Sequence, residues 1–421
     1  MKRYFFILAL LPLIPAGAHA LDVSAGNSID VDMLTEIVSE PDAVFAGDLW
    51  TYSLQPSHRS WLTGITALKD GDFLAVGTSV SPVMDSNAWL MRLKPYGETE
   101  WLRTLSHKDT WQQFNGVAAS DSGRSGIAGV TAGDPEQSID GWFVTVAPDG
   151  AVLNQKRYGG DHDDWFSAIA STPEGGFAVV GEYGGVDEQD HGWLLYLDAD
   201  GQLLREHIFS MGERSWLSSL MVGAEGNVIA GGGVISEGKT GDWIVSLNPA
   251  REMIFSQTYF EGHVEASFEH TDGGPYFEQE RSGGLGAIAM LDQGTLVAIG
   301  TSMDIHRPQA SRDDRLVAFD LQGNKVWEIL AEDGVIFAGL MADGDSLVAV
   351  GVYGQNAYAA RFDPAGNMLS QQTFSGEGRQ YFDSVALGAT GNIVAIGASY
   401  GLEGARDAHG LAIGTYPDDF E

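Results

Sequence analysis

Cysteine is absent from the 421 residues. No disulfide can hold this fold together, and no thiol can serve as nucleophile or zinc ligand. Positive charge is also scarce. Lys and Arg number 23 against 58 Asp and Glu, for a formal charge of −35. Such a chain is a poor partner for nucleic acid or an anionic lipid surface, so neither is expected to bind it. After residue 20 no apolar run approaches the roughly 18 residues that a membrane helix needs, so no membrane span is expected. One signature of zinc-dependent hydrolases, H-E-x-x-H, is missing as well.

The first twenty residues read as an export signal. Lys2 and Arg3 precede an apolar run over 4–14, and Ala18-His19-Ala20 is an A-x-A cleavage site. Cleavage there leaves a periplasmic or secreted protein with 21 basic and 58 acidic residues, −37 in all. The acidity itself is first a solubility device.

What the sequence has in abundance is repetition. Apolar runs closing on glycine end at Gly77, Gly129, Gly181, Gly231, Gly300, Gly351 and Gly397. A strand-rich period near fifty residues is the mark of a β-propeller with one four-stranded sheet per repeat. The third repeat is the clearest. Strands are predicted over 167–170, 177–181, 193–197 and 203–209, separated by Thr172-Pro173-Glu174-Gly175-Gly176, a loop over 182–192, and Asp198-Ala199-Asp200-Gly201.

The fold class expected is therefore all-β, a seven-bladed β-propeller. Residues 49–54, Leu-Trp-Thr-Tyr-Ser-Leu, resemble the fourth strand at 100–105, yet they precede the first repeat. The seventh repeat has no room for a fourth strand of its own. Strand 49–54 is thus expected to complete the last blade and close the ring, removing two exposed edges without a disulfide. The domain plan is a signal peptide over 1–20, an N-terminal leader over 21–48 with a short helix at 30–38, and a propeller over 49–421 carrying an insertion at 261–284.

Strands that alternate direction put the loops between second and third strands on the same face as the links between repeats. That face is long and variable, and binding concentrates on such loops. The eleven Trp sort by place in the repeat. Trp89, Trp142, Trp193 and Trp243 open third strands, and Trp50, Trp101 and Trp327 lie in fourth strands, where packing between blades is expected. Trp61, Trp111, Trp165 and Trp216 sit just before first strands, nearer the long-loop face. Arg59-Ser60-Trp61 and Arg214-Ser215-Trp216 are near-copies in which a guanidinium beside an indole suits a carboxylate or a sugar ring. His162, Asp163 and Asp164 beside Trp165 suit Ca²⁺ or a sugar. The candidate ligand-binding set is Trp61, Trp111, His162, Asp163, Asp164, Trp165, Arg214 and Trp216. In the insertion, His263, Glu265, Glu269 and His270 are candidate ligands for a divalent metal, Ca or Zn.

The repeat unit, as in Glu174-Gly175-Gly176-Phe177-Ala178-Val179-Val180-Gly181 followed by Gly192-Trp193-Leu194-Leu195-Tyr196-Leu197-Asp198, resembles the Trp-rich propeller repeats of exported bacterial proteins over 49–416. Asp320-Leu321-Gln322-Gly323-Asn324-Lys325-Val326-Trp327 also looks like the turn-and-Trp element of quinone-cofactor dehydrogenase propellers. Those propellers have eight sheets and a Cys-Cys or metal site, so no cofactor residue is carried over. The function expected is an exported, monomeric binding protein or scaffold that recognises an envelope protein, a saccharide or a small molecule on its long-loop face. The alternative is a periplasmic or secreted hydrolase or lyase with a metal or His/Asp site at the channel mouth.

Overall fold

The computed structural model describes residues 49–54, 59–80, 86–105, 111–132, 138–185, 189–260, 284–301, 314–376, 378–401 and 404–415, together with 34–39 and Phe45. They form seven antiparallel sheets and, among the described residues, no helix. Blade 1 spans 59–105, blade 2 spans 112–158, blade 3 spans 165–209, blade 4 spans 214–259 and blade 5 spans 284–330. Blade 6 covers 335–376 and blade 7 covers 380–415. The first strand of each blade packs against the first strands of its two neighbours, and that of blade 7 meets that of blade 1, so the ring is closed.

Closure is made by strand Leu49–Leu54, which pairs antiparallel with strand Gly404–Thr415 as the outermost strand of blade 7. Trp50 lies opposite Gly414 and Ser53 opposite Leu411. The Trp50 indole donates from Nε1 to Pro95 O of blade 1, 3.0 Å away, so the seam is also latched side to side.

The leader departs from the expected helix. Leu34–Ser39 is a strand, the fifth of blade 6, paired antiparallel with Met368–Gly376. The outer edge of a blade offers unpaired backbone donors and acceptors, and a segment rich in β-branched residues satisfies them better as a strand. Phe45 follows it inward. Its ring lies 5.4 Å from Phe374 of blade 6 and 6.4 Å from Phe382 of blade 7.

The core is a set of layers between blades. One cluster joins Leu74, Val76 and Leu90 of blade 1 to Phe114, Ile127 and Trp142 of blade 2. Trp89, Trp142, Trp193 and Trp243 are buried in such layers, each opposite a second-strand glycine: Gly77, Gly129, Gly181 and Gly232. In blade 5 the indole's place is taken by Arg315, whose Nη2 reaches Asp242 Oδ2 of blade 4 at 2.6 Å.

The repeating glycine has a physical cause. Each first strand carries a bulge, as between Phe166 and Ala168, that pushes the carbonyl before it toward the second strand. A Cβ at Gly181 would stand 1.7 Å from Trp165 O, and one at Gly351 would stand 1.9 Å from Ile336 O. In blade 4 the residue in this place is Gly232, 1.9 Å from Trp216 O, and not Gly231, at which the repeat is counted from sequence. Three glycines in a row hide the register there.

Candidate functional site

The beginnings of first strands and the ends of second strands meet on the long-loop face. The bulge residues Leu62, Phe114, Phe166, Leu217, Phe337 and Phe382 set the equivalence between blades. The residue just before the bulge is aromatic in four blades: Trp61, Trp165, Trp216 and Tyr381. Two residues earlier stand Arg59, Trp111, Arg214 and Arg379 in blades 1, 2, 4 and 7. Trp111 is therefore not the counterpart of the other three Trp grouped with it by sequence; it occupies the arginine's place. Trp61, Trp165 and Trp216 lie inside first strands rather than before them.

Trp111 and Trp165 come together across the junction of blades 2 and 3, with ring centroids 6.2 Å apart at 70°. Both are half-buried. The link before Trp165 folds onto its own blade. Asp164 is fully buried, and its carboxylate accepts from Gly160 N at 2.6 Å and Gly184 N at 2.9 Å. Burial pushes its pKa up to about 6, against the pull of those two N–H groups. Asp163 Oδ1 accepts from Ile139 N at 2.8 Å. His162 is exposed beside them. Asp163 and Asp164 thus stitch the link to strands of blades 2 and 3. Among the described residues no three His, Asp or Glu side chains gather as a metal site. The candidates His263, Glu265, Glu269 and His270 lie outside the described residues. The quinone-like turn is self-contained, with Asp320 Oδ1 accepting from Gln322 N and Asn324 N, and Trp327 Nε1 donating to Pro364 O.

Arg214 sits at the junction of blades 3 and 4. Its Nη2 and Nε reach Glu182 Oε1, the latter at 3.1 Å, and its Nε lies 2.8 Å from Asp190 Oδ2. Its guanidinium lies 5.8 Å from the Trp216 ring centroid. The Glu182 side chain is 15% exposed. Burial pushes its pKa up to about 7, with the Arg214 charge pulling down and Asp190 pushing up.

The same junction recurs between blades 6 and 7, and there the sequence reading missed it. Arg379-Gln380-Tyr381 has the spacing of Arg214-Ser215-Trp216, with Tyr in place of Trp. Val352 stands opposite Ile336 as Glu182 stands opposite Trp165. An apolar side chain therefore occupies the acid's place. A shallow cleft open to solvent is lined here by Ile336, Ala338, Val352, Arg379, Tyr381, Phe382, Asp383 and Tyr400. The Tyr381 and Tyr400 rings stack 5.7 Å apart at 24°, and their hydroxyls are 3.4 Å apart. Burial raises the Tyr381 phenol well above its ordinary value, with Asp383 adding to the effect, so it stays a hydrogen-bond donor.

No family model matches this chain, and no curated protein does. Solved structures match its fold. It is similar to polysaccharide lyase Uly1, at 11% identity over 91% of this chain and 94% of that one, with a TM-score of 0.53. It is similar to the Dos1 propeller at 10% identity over 88% and 95%, TM-score 0.51. The β-propeller domain of the Trilobed protease from Pyrococcus furiosus also matches, at 10% identity over 84% and 93%, TM-score 0.48. At these identities the likeness is one of fold.

Proposed function

We propose that this chain is an exported binding protein whose long-loop face takes a ligand with flat surfaces and negative charge. One observation carries the reading: an arginine two residues before an aromatic ring recurs at the same place in blades 1, 4 and 7, in a chain with only 23 basic residues. Aromatic faces stack on planar or sugar rings, and guanidinium forks take carboxylates. The half-exposed Trp111–Trp165 pair extends the same surface. Titrating the intrinsic tryptophan fluorescence with small carboxylates and with neutral and anionic oligosaccharides tests it. A saturable change lost in the double variant Trp111→Ala/Trp165→Ala is expected. No change with any member of the panel would reject the proposal.

A second reading, a scaffold that docks on another protein, draws on a different observation. Fourth strands carry exposed apolar pairs in blades 2, 3, 4 and 6: Val152 and Leu153, Leu203 and Leu204, Met253 and Ile254, Met368 and Leu369. It expects a stoichiometric protein partner in native mass spectra of material from the protein's own source, lost on Leu204→Glu/Ile254→Glu. The enzyme alternative, a hydrolase or lyase, draws on the fold shared with a polysaccharide lyase and on the metal candidates outside the described residues. Elemental analysis of the purified protein tests it.

A further inference from the structure

We infer that the cleft between blades 6 and 7 binds a carboxylate carried on a small apolar or aromatic body, with Arg379 as its anchor. The inference rests on the proposed ligand-binding role of the long-loop face and names one site and one ligand class within it.

Arg379 carries the argument. Its guanidinium lies 6.0 Å from the Tyr381 ring centroid, and its Nε is buried with no hydrogen-bond partner among the described residues. Arg92, Arg124, Arg157, Arg214, Arg315 and Arg361 each hold a carboxylate. Arg379 holds none among the described residues. A buried N–H without an acceptor is costly, and an acceptor from outside removes the cost. A planar fork with an unused Nε–H calls for a two-oxygen acceptor, which a carboxylate supplies.

The walls choose the body. Ile336, Ala338, Val352 and Phe382 are apolar, and the stacked Tyr381 and Tyr400 rings add a flat side. Hydroxyl groups of a sugar would lose water against such walls without replacement partners. Asp383 faces the same cleft and has a partner of its own. Its negative charge disfavours a dianion such as phosphate more than a single carboxylate.

The junction of blades 3 and 4 serves as an internal control. There Glu182 and Asp190 already hold the equivalent arginine. The two junctions differ most simply in Glu182 against Val352.

Isothermal titration of the whole protein at low ionic strength tests the inference, with benzoate as probe and D-glucuronate and inorganic phosphate as comparisons. Benzoate is expected to bind one to one and at least tenfold more tightly than either comparison. Arg379→Gln and Val352→Glu are each expected to weaken benzoate at least tenfold, the second by supplying Arg379 with a carboxylate of its own. Should Arg379→Gln fail to fold, Arg379→Lys keeps the charge, loses the fork and is expected to bind more weakly than the native protein. Absence of benzoate binding, equal binding by these variants, or glucuronate or phosphate binding as tightly as benzoate would each overturn the inference. If benzoate fails while another carboxylate or an oligosaccharide quenches the Trp111–Trp165 pair, the inference falls and the binding role of the face stands. If nothing binds at all, both fall.

Discussion

Two of the junctions that carry an arginine beside an aromatic ring, blades 3 and 4 against blades 6 and 7, share one backbone and differ in what answers the charge. At the first, Glu182 and Asp190 close on Arg214, and the result is an ion pair at the top of the core. At the second, Val352 stands in the acid's place, and the buried Arg379 Nε has no acceptor among the described residues. A repeat scaffold copies its backbone faithfully and its surface loosely. A single change from acid to aliphatic converts a structural contact into an open site, so the place to look for function in a repeat protein is where one copy fails to satisfy what its siblings satisfy.

Substituting the shared glycine should cost both junctions alike. Gly181→Ala and Gly351→Ala would each set a Cβ under 2 Å from a backbone carbonyl, at 1.7 Å from Trp165 O and 1.9 Å from Ile336 O. Each is expected to destabilise by about 3 kcal/mol in urea unfolding, since neither strand can give way without breaking its bulge. Unequal losses would show that the two backbones are not the same device.

Removing each arginine should separate them. Arg214→Ala strands the poorly exposed Glu182 and is expected to cost about 1–2 kcal/mol, allowing for the partial exposure of Arg214. Arg379→Ala breaks no ion pair among the described residues and is expected to cost under about 0.5 kcal/mol. Paired thermal melts check this.

The sealed junction should also respond to pH. Glu182 has its pKa raised from 4.5 to about 7, so between those values the folded state binds more protons than the unfolded one. Its contribution to stability is then fullest below the unfolded value and is lost as pH rises through about 7. Melting temperature against pH should decline less over this window in Glu182→Gln than in the native protein. The smallest effect is expected at Trp111. This half-exposed residue should tolerate Trp111→Ala with a loss under about 1 kcal/mol in urea unfolding, and the change should show in ligand titrations rather than in stability.

Much of this was legible in the sequence. The glycine period counts the blades because six of them place a first-strand carbonyl against a second-strand glycine, as Trp165 O against Gly181, and in blade 5 the Arg315 side chain packs against Gly300 instead. The likeness of 49–54 to 100–105 was enough to foresee the closing strand. Local pattern failed where the answer lay in pairing. Residues 34–39 form a strand because the edge of blade 6 offers partners, which no window around 34–39 contains. Trp111 was misaligned because the bulge, not the nearest aromatic, sets the register. The Arg379 cleft stayed hidden for two reasons. Tyr381 replaces the Trp that marked the other copies, and the deciding residue, Val352, belongs to the preceding repeat.

The central claim is that Val352 leaves Arg379 open while Glu182 seals Arg214. The most direct measurement is a proton–nitrogen correlation spectrum of the Nε–H groups in protein labelled with ¹⁵N-arginine, titrated with benzoate. The Arg379 signal is predicted to move saturably while that of Arg214 stays in place. Movement of Arg214 with Arg379 unmoved would contradict the account.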